Sequence, residues 1–262
     1  NTINVIEYGV YDVRVRRGSD WSYWSPIPVE IKEKAPTVTP PIAVSGLASK
    51  VIPALDGNNS VILELPEGYE TYQWRRIGTT TTIGTSRFLT VNTSGEYIAS
   101  VSEFNGCSSK FSDPYLIINA NGTNGPDAIN GLLAFAPSKT SIQLNWSDNP
   151  SAAYNETGFE IYRGNEAGGP YELISITDAD VLSYTDEGLN PNTEYFYLIR
   201  PVNNNAAGPT SDEVSARTQV DTEAPTAPLN LTVTATTENS VSLSWAPSTD
   251  NVGVSRYDIY QN

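Results

Sequence analysis

Apolar and polar residues alternate with a period of two along most of this chain, in short runs broken by Gly, Pro, Asn and Asp. SVILEL (60–65), YQWRR (72–76), RFLTV (87–91) and SGEYIASV (94–101) each read as a strand with one buried face. SIQLNW (141–146), GFEIYRG (158–164), YELISI (171–176) and TEYFYLIRPVN (193–203) continue the pattern, and EVSARTQV (213–220) closes it. No stretch of helical length carries an apolar period of 3.6 residues, so no helix is predicted. The 15 Tyr, 5 Trp and many Val, Ile and Thr suit pleated, half-buried surfaces. The fold class expected is all-β.

The pattern also repeats. A shift of 86 positions lays Ile3, Val5, Gly9, Tyr11, Val13 and Val15 on Leu89, Val91, Gly95, Tyr97, Ala99 and Val101. Residues 1–35 therefore read as the closing part, strands E-F-G, of a unit like residues 37–122. Residues 126–219 form a different unit. Residues 222–262 repeat its beginning, strands A-B-C, with Trp245 standing 99 positions after Trp146 and Tyr260 98 after Tyr162. A small unit repeated in series is the expected organisation.

Residues 37–122 resemble the immunoglobulin-like repeats of large bacterial surface proteins. The residues that carry this are Gly95, Tyr97 and the Asn105-Gly106-Cys107 turn. The resemblance places Trp74 in the core on strand C and Tyr97 at a tyrosine corner. Residues 126–219 resemble a fibronectin type III module, through Trp146 on strand B, Leu189, Pro191, Thr193 and Tyr195, and the turn from Asn203 to Gly208. There Trp146 is expected between the sheets and Tyr195 with its ring buried and its hydroxyl bonded to the preceding turn. The full expectation is tandem Greek-key β-sandwiches, immunoglobulin-like (37–122) and fibronectin type III (126–219), with partial sandwiches at both ends (1–35 and 222–262). APTVTPP (35–41) and TEAPTAP (222–228) read as stiff proline linkers and NGTNGP (121–126) as a looser one.

Composition narrows the function. The net charge is −15 and nine of those charges fall in 126–219 (4 basic against 13 acidic residues). No basic face is available to neutralise phosphates, so nucleic acid is not an expected partner. No apolar run approaches 18 residues, so no membrane span is expected in this segment. The chain has no His, which removes Ser-His and Cys-His machinery. Its 30 acidic residues are scattered over small units without an evident shared cleft. The site expectation is therefore catalytic none, cofactor-binding none, metal none.

Three features remain as candidates for chemistry. Trp21-Ser22-Tyr23-Trp24-Ser25 spells WSxWS and resembles the motif of cytokine-receptor fibronectin modules. Arg14 and Arg16 share one strand face, and their guanidinium groups are placed to stack with Trp21 and Trp24 as a structural ladder. The alternative is an exposed platform for sugar rings. Cys107, the single cysteine, falls in the slot that Trp21 fills upstream, which predicts a partly buried apolar position rather than a reactive thiol. Asp148 with Asp180, or Asp250 with Asp258, could supply calcium oxygens at a junction, although no ligand-loop spacing supports this. Asn145-Trp146-Ser147 matches an acceptor sequon but falls inside a predicted strand.

These readings point to non-catalytic spacer or interaction modules of a large repetitive extracellular or cell-surface bacterial protein, adhesin-like, with export that the resemblance links to the type IX route. The alternative is the linker region of a secreted polysaccharide-degrading enzyme, because the STDNVGV…YDIY pattern (248–260) resembles modules appended to chitinases. The expected partners are other protein modules or surface glycans. Head-to-tail complementation of the end half-modules, between copies, is a further expectation.

Overall fold

The computed structural model describes residues 2–32, 34–104, 106–148 and 155–261. Every regular element among them is a β-strand, grouped in seven sheets of two to four strands. Contacts divide the chain into two compact units. One holds residues 1–43, 63–89 and 96–115, the other 44–62, 90–95 and 116–262.

In the first unit, β1 (Gly9–Tyr11) pairs antiparallel with β4 (Val29–Ile31), and β2 (Arg16–Arg17) with β3 (Asp20–Trp21). These short ladders leave most of their apolar side chains open to solvent. The strands that follow along the chain are β5 (Ala43–Val44), β6 (Val51–Ile52), β7 (Val61–Glu64), β8 (Thr71–Arg76), β9 (Phe88–Val91), β10 (Gly95–Ser102) and β11 (Tyr115–Asn119); β8 and most of β10 lie in the first unit, β6 and most of β11 in the second. β8 and β10 pair antiparallel, with Trp74 opposite Ala99. The small Ala99 leaves the space that the indole fills, and Trp74 is fully buried, its Nε1 donating to the Ser86 carbonyl at 2.8 Å. Tyr97 and Val101 share the buried side of β10. On the open edge of β8, Gly84 bridges back to Trp74. A Cβ at Gly84 would lie 2.8 Å from Leu89 Cδ1, so no larger residue fits without a shift.

The second unit contains a complete sandwich. Its strands are β12 (Asn130–Phe135), β13 (Ser141–Ser147), β14 (Gly158–Gly164), β15 (Tyr171–Asp178), β16 (Ser183–Glu187), β17 (Glu194–Val202) and β18 (Val214–Arg217). One sheet runs β12-β13-β16, the other β15-β14-β17-β18, and their registers are antiparallel throughout. Trp146 and Phe159 meet edge to face between the sheets, with ring centroids 5.6 Å apart at 71°. Ile142, Leu144, Ile161, Tyr195, Tyr197 and Ile199 complete the core. Each large side chain so buried contributes about 2–3 kcal/mol. The backbone N–H of Asn190 donates to the Tyr195 hydroxyl at 3.1 Å, so the turn before β17 is pinned as the sequence predicts.

Downstream, β19 (Leu229–Thr236) and β20 (Val241–Ala246) form a hairpin. The expected third strand, around Tyr257–Tyr260, carries no ladder. In the complete sandwich the corresponding strand β14 pairs with β15 and β17, and with neither β12 nor β13.

Two of the three linkers are fastened to neighbouring segments. Thr37 and Pro40 are buried, and the Thr37 and Thr39 hydroxyls donate to the carbonyls of Cys107 (2.8 Å) and Lys110 (3.0 Å). Residues 37–40 are thus docked against the 107–110 segment. NGTNGP is not loose either. The Asn203 side-chain amide donates to the Asn124 carbonyl at 2.9 Å, and a Cβ at Gly122 would stand 2.4 Å from the Asn205 carbonyl oxygen.

Candidate functional site

The WSxWS segment builds the arrangement expected of it. The Arg14 guanidinium carbon lies 4.1 Å from the Trp21 ring and 4.3 Å from the Trp24 ring, and that of Arg16 lies 5.2 Å from Trp21. The two serines hold the motif to its neighbour strand. Ser22 donates its N–H to the Val15 carbonyl and accepts the Val15 N–H on its hydroxyl, both at 2.8 Å. Ser25 does the same with Val13, at 2.8 and 3.2 Å. One serine thereby completes a narrow antiparallel pair with a single residue. The ring faces nearest Arg14 are occupied by a cation, which leaves them closed to a sugar.

The same bracket recurs. Ser109 binds both main-chain groups of Val101, and Ser112 those of Ala99. In the β12–β18 sandwich Ser211 binds both groups of Ile199. The partner position at Pro201 has no N–H to give, and there Gly208 stands in place of serine and donates only its own N–H, at 2.8 Å. Asn105, part of the turn quoted for the resemblance, lies outside the described residues.

Cys107 is exposed, which corrects the buried slot expected for it. The slot itself is open: Trp21 is half exposed and Ser108 is exposed. Seven positions separate Val15 from Ser22 but eight separate Val101 from Ser109, so the position matching Trp21 is Ser108 rather than Cys107.

The ionisable groups buried in the β12–β18 sandwich are mutually satisfied. Arg163 Nη1 reaches both Asp186 oxygens, at 3.1 and 3.0 Å, and the Tyr197 hydroxyl donates to Asp186 Oδ2 at 2.9 Å. Burial, reinforced by the Asp186 carboxylate, pushes the Tyr197 phenol far above its usual range. Glu160, buried on β14, accepts Arg200 Nε at 2.8 Å, Arg200 Nη2 at 2.6 Å and the Tyr162 hydroxyl at 2.9 Å. Its other oxygen accepts the Ser49 hydroxyl. Neither carboxylate is left free to act as an acid or base on a ligand. The chain pattern carried a signal that could have found Glu160: GFEIYRG is buried at almost every position, so its glutamate must be paired.

Of the calcium candidates, Asp148 and Asp180 do share a neighbourhood. Glu156 is pushed above the usual carboxylate range by burial and by those two charges. The turn 149–154 beside them lies outside the described residues. Asp250 instead accepts the N–H groups of Val252 and Gly253 within its own turn, and Asp258 pairs with Arg256 at 3.4 Å. Among the described residues no three His, Cys, Asp or Glu side chains assemble in a metal-holding group. No helix among them is long and apolar enough to cross a membrane.

A sheet of β12-β13-β16 facing a sheet of β15-β14-β17-β18, with Trp146 of β13 and Tyr195 of β17 buried between them, decides the architecture. The sandwich β12–β18 has the fibronectin type III fold. No known family profile matches the chain. It is similar to chitinase A1 of Niallia circulans, 34% identical over 143 residues, which are 53% of this chain and 19% of that protein. It is also similar to exoglucanase B of Cellulomonas fimi, 27% identical over 244 residues, 86% of this chain and 22% of that protein. The chain thus spans about a fifth of the length of these relatives. Among solved structures, a Fn3-like protein from Clostridium thermocellum is 27% identical over 37% of this chain and 94% of that one, with a TM-score of 0.30.

Proposed function

We propose that this chain is a non-catalytic spacer segment of a large extracellular bacterial protein, and that the protein is a polysaccharide-degrading enzyme with its catalytic domain elsewhere. The observation that carries the non-catalytic part is the internal pairing of the fibronectin module's buried carboxylates, Asp186 with Arg163 and Glu160 with Arg200. The enzyme context is supported by the similarity to chitinase A1 and exoglucanase B, the latter over 86% of the chain. The adhesin-like reading is supported by the internal repeat of 1–35 in the following unit; the repeat has no bearing on type IX export.

The test is incubation of the purified chain with insoluble chitin and cellulose. Neither released sugar nor retention on the solid is expected. Hydrolysis would end the non-catalytic reading, and retention would replace the passive spacer with a glycan-binding role. The flanking reading frame separates the two contexts: a hydrolase domain supports the enzyme, and a long series of further repeats supports the adhesin. Head-to-tail pairing between copies, in which the apolar face around Tyr11, Val13 and Ile27 covers that around Leu231 and Tyr257 of another chain, predicts concentration-dependent association. Light scattering that gives a monomer at all concentrations excludes it.

A further inference from the structure

The β14–β17 face of the fibronectin module carries more than a fold requires. Glu160 and Arg200 form an ion pair with side chains 1% and 5% exposed, closed on its open side by Ser49, 111 positions earlier in the chain. Beside it, Val51, Ile118 and Val202 make a hydrophobic cluster of their own, distinct from the module's core, with Ala207 packed on its margin. Val51 and Ile118 belong to the parallel pair β6–β11, and Val202 ends β17. The connecting segment is held by backbone approach. A Cβ at Gly125 would lie 2.7 Å from the Ala207 carbonyl oxygen, and one at Gly208 would lie 2.4 Å from the Pro126 carbonyl oxygen. An ion pair this dry offsets its desolvation only if its geometry is good and every remaining oxygen has a donor. Here the donor and the cover both come from residues outside the module.

We propose that the β14–β17 face is a docking surface for the preceding segment, residues 44–62 and 116–125, and that the two open and close as one cooperative, rigid body. Glu160 is the specificity element, since it accepts only a surface that brings a hydroxyl donor and an apolar neighbour together, as Ser49 and Val51 do. The spacer would then set an orientation as well as a length across this junction.

The test is NMR on the whole chain. Residual dipolar couplings of amides in β6 and β11 and of those in β14 and β17 should fit a single alignment tensor. Ser49→Ala strands one Glu160 oxygen and should speed amide exchange roughly tenfold in β6, β11 and β17 together, with β12 and β13 unchanged. Gly122→Ala inserts a methyl against the Asn205 carbonyl and should split the tensor in two while the module's core amides stay protected. Two tensors in the unaltered chain, or an exchange change on one side of the junction only, would overturn the proposal.

Discussion

The Asp186 network gives the sharpest test of how this fold is held together. Asp186 is buried and accepts two hydrogen bonds from Arg163 and one from Tyr197. Asp186→Ala removes the anion and leaves a guanidinium and a phenol without their partner. Breaking a buried pair in this way costs about 3–5 kcal/mol, and the lower end applies because the Arg163 side chain is 25% exposed and water can take part of its charge. Tyr197→Phe removes one charge-assisted bond and costs about 1.5–2 kcal/mol. The triple change Asp186→Leu, Arg163→Met and Tyr197→Phe leaves no orphaned group, so its cost should stay within about 1 kcal/mol of the unaltered chain. The assay is urea unfolding of the whole chain, read by amide exchange at Ile161 and Ile199 in the module's core. Strong non-additivity is expected. A triple variant as costly as Asp186→Ala would refute the reasoning, because the loss would then lie in packing rather than in the stranded charge.

Tyr171, whose hydroxyl bonds Glu213, has its phenol pushed up to about 12 by burial and that carboxylate. Its folded pKa lies above the unfolded 10.0, so its contribution is whole below pH 10 and is lost as pH rises through 12; Tyr171→Phe should flatten stability over that window in an alkaline titration. Cys107, being exposed, should react with a thiol reagent in the native chain at the rate seen in urea, and protection would contradict the structure. Trp24→Ala removes a cation–π contact worth about 0.5–2 kcal/mol and should loosen the Val13 and Val15 amides in hydrogen exchange. Ser112→Ala takes the acceptor from the Ala99 N–H and should cost about 1 kcal/mol in a thermal melt, whereas Ser112→Thr should restore most of it.

The strands of the fibronectin module were legible because two signals coincide there: period-two burial and aromatic residues at positions that only the sheet interior can take. Trp74 and Trp146 were placed for the same reason. The docked segments were not legible. Residues 37–40 and 121–126 bind through hydroxyls, main-chain carbonyls and missing Cβ atoms, none of which leaves an alternating pattern. Pro and Gly there look like ordinary linker chemistry, and only the fold shows that Gly122 and Gly125 are small because another backbone lies against them. The buried position expected of Cys107 fails because Trp21, the residue it is matched to, is itself half open to solvent.

The serine brackets supply a register that the repeat alignment lacked, and it brings two arginines into correspondence. Val13 and Val15 match Ile199 and Pro201, so Arg14 matches Arg200 on the same outward face of the penultimate strand. A guanidinium on a flat sheet face still needs its planes and its N–H groups engaged if it is to stiffen anything. The two repeats meet that need by different means. In residues 1–32 the next strand supplies both Trp21 and Trp24, and the arginine is covered from within its own repeat. In the fibronectin module those two positions are Ala207 and Thr210, which offer no ring. Arg200 turns instead to Glu160 and lies 5.6 Å from the Tyr162 ring, and Glu160 in turn accepts the Ser49 hydroxyl. The same outward arginine is thus engaged by two aromatic rings in one repeat and by a carboxylate and a phenol ring in the other.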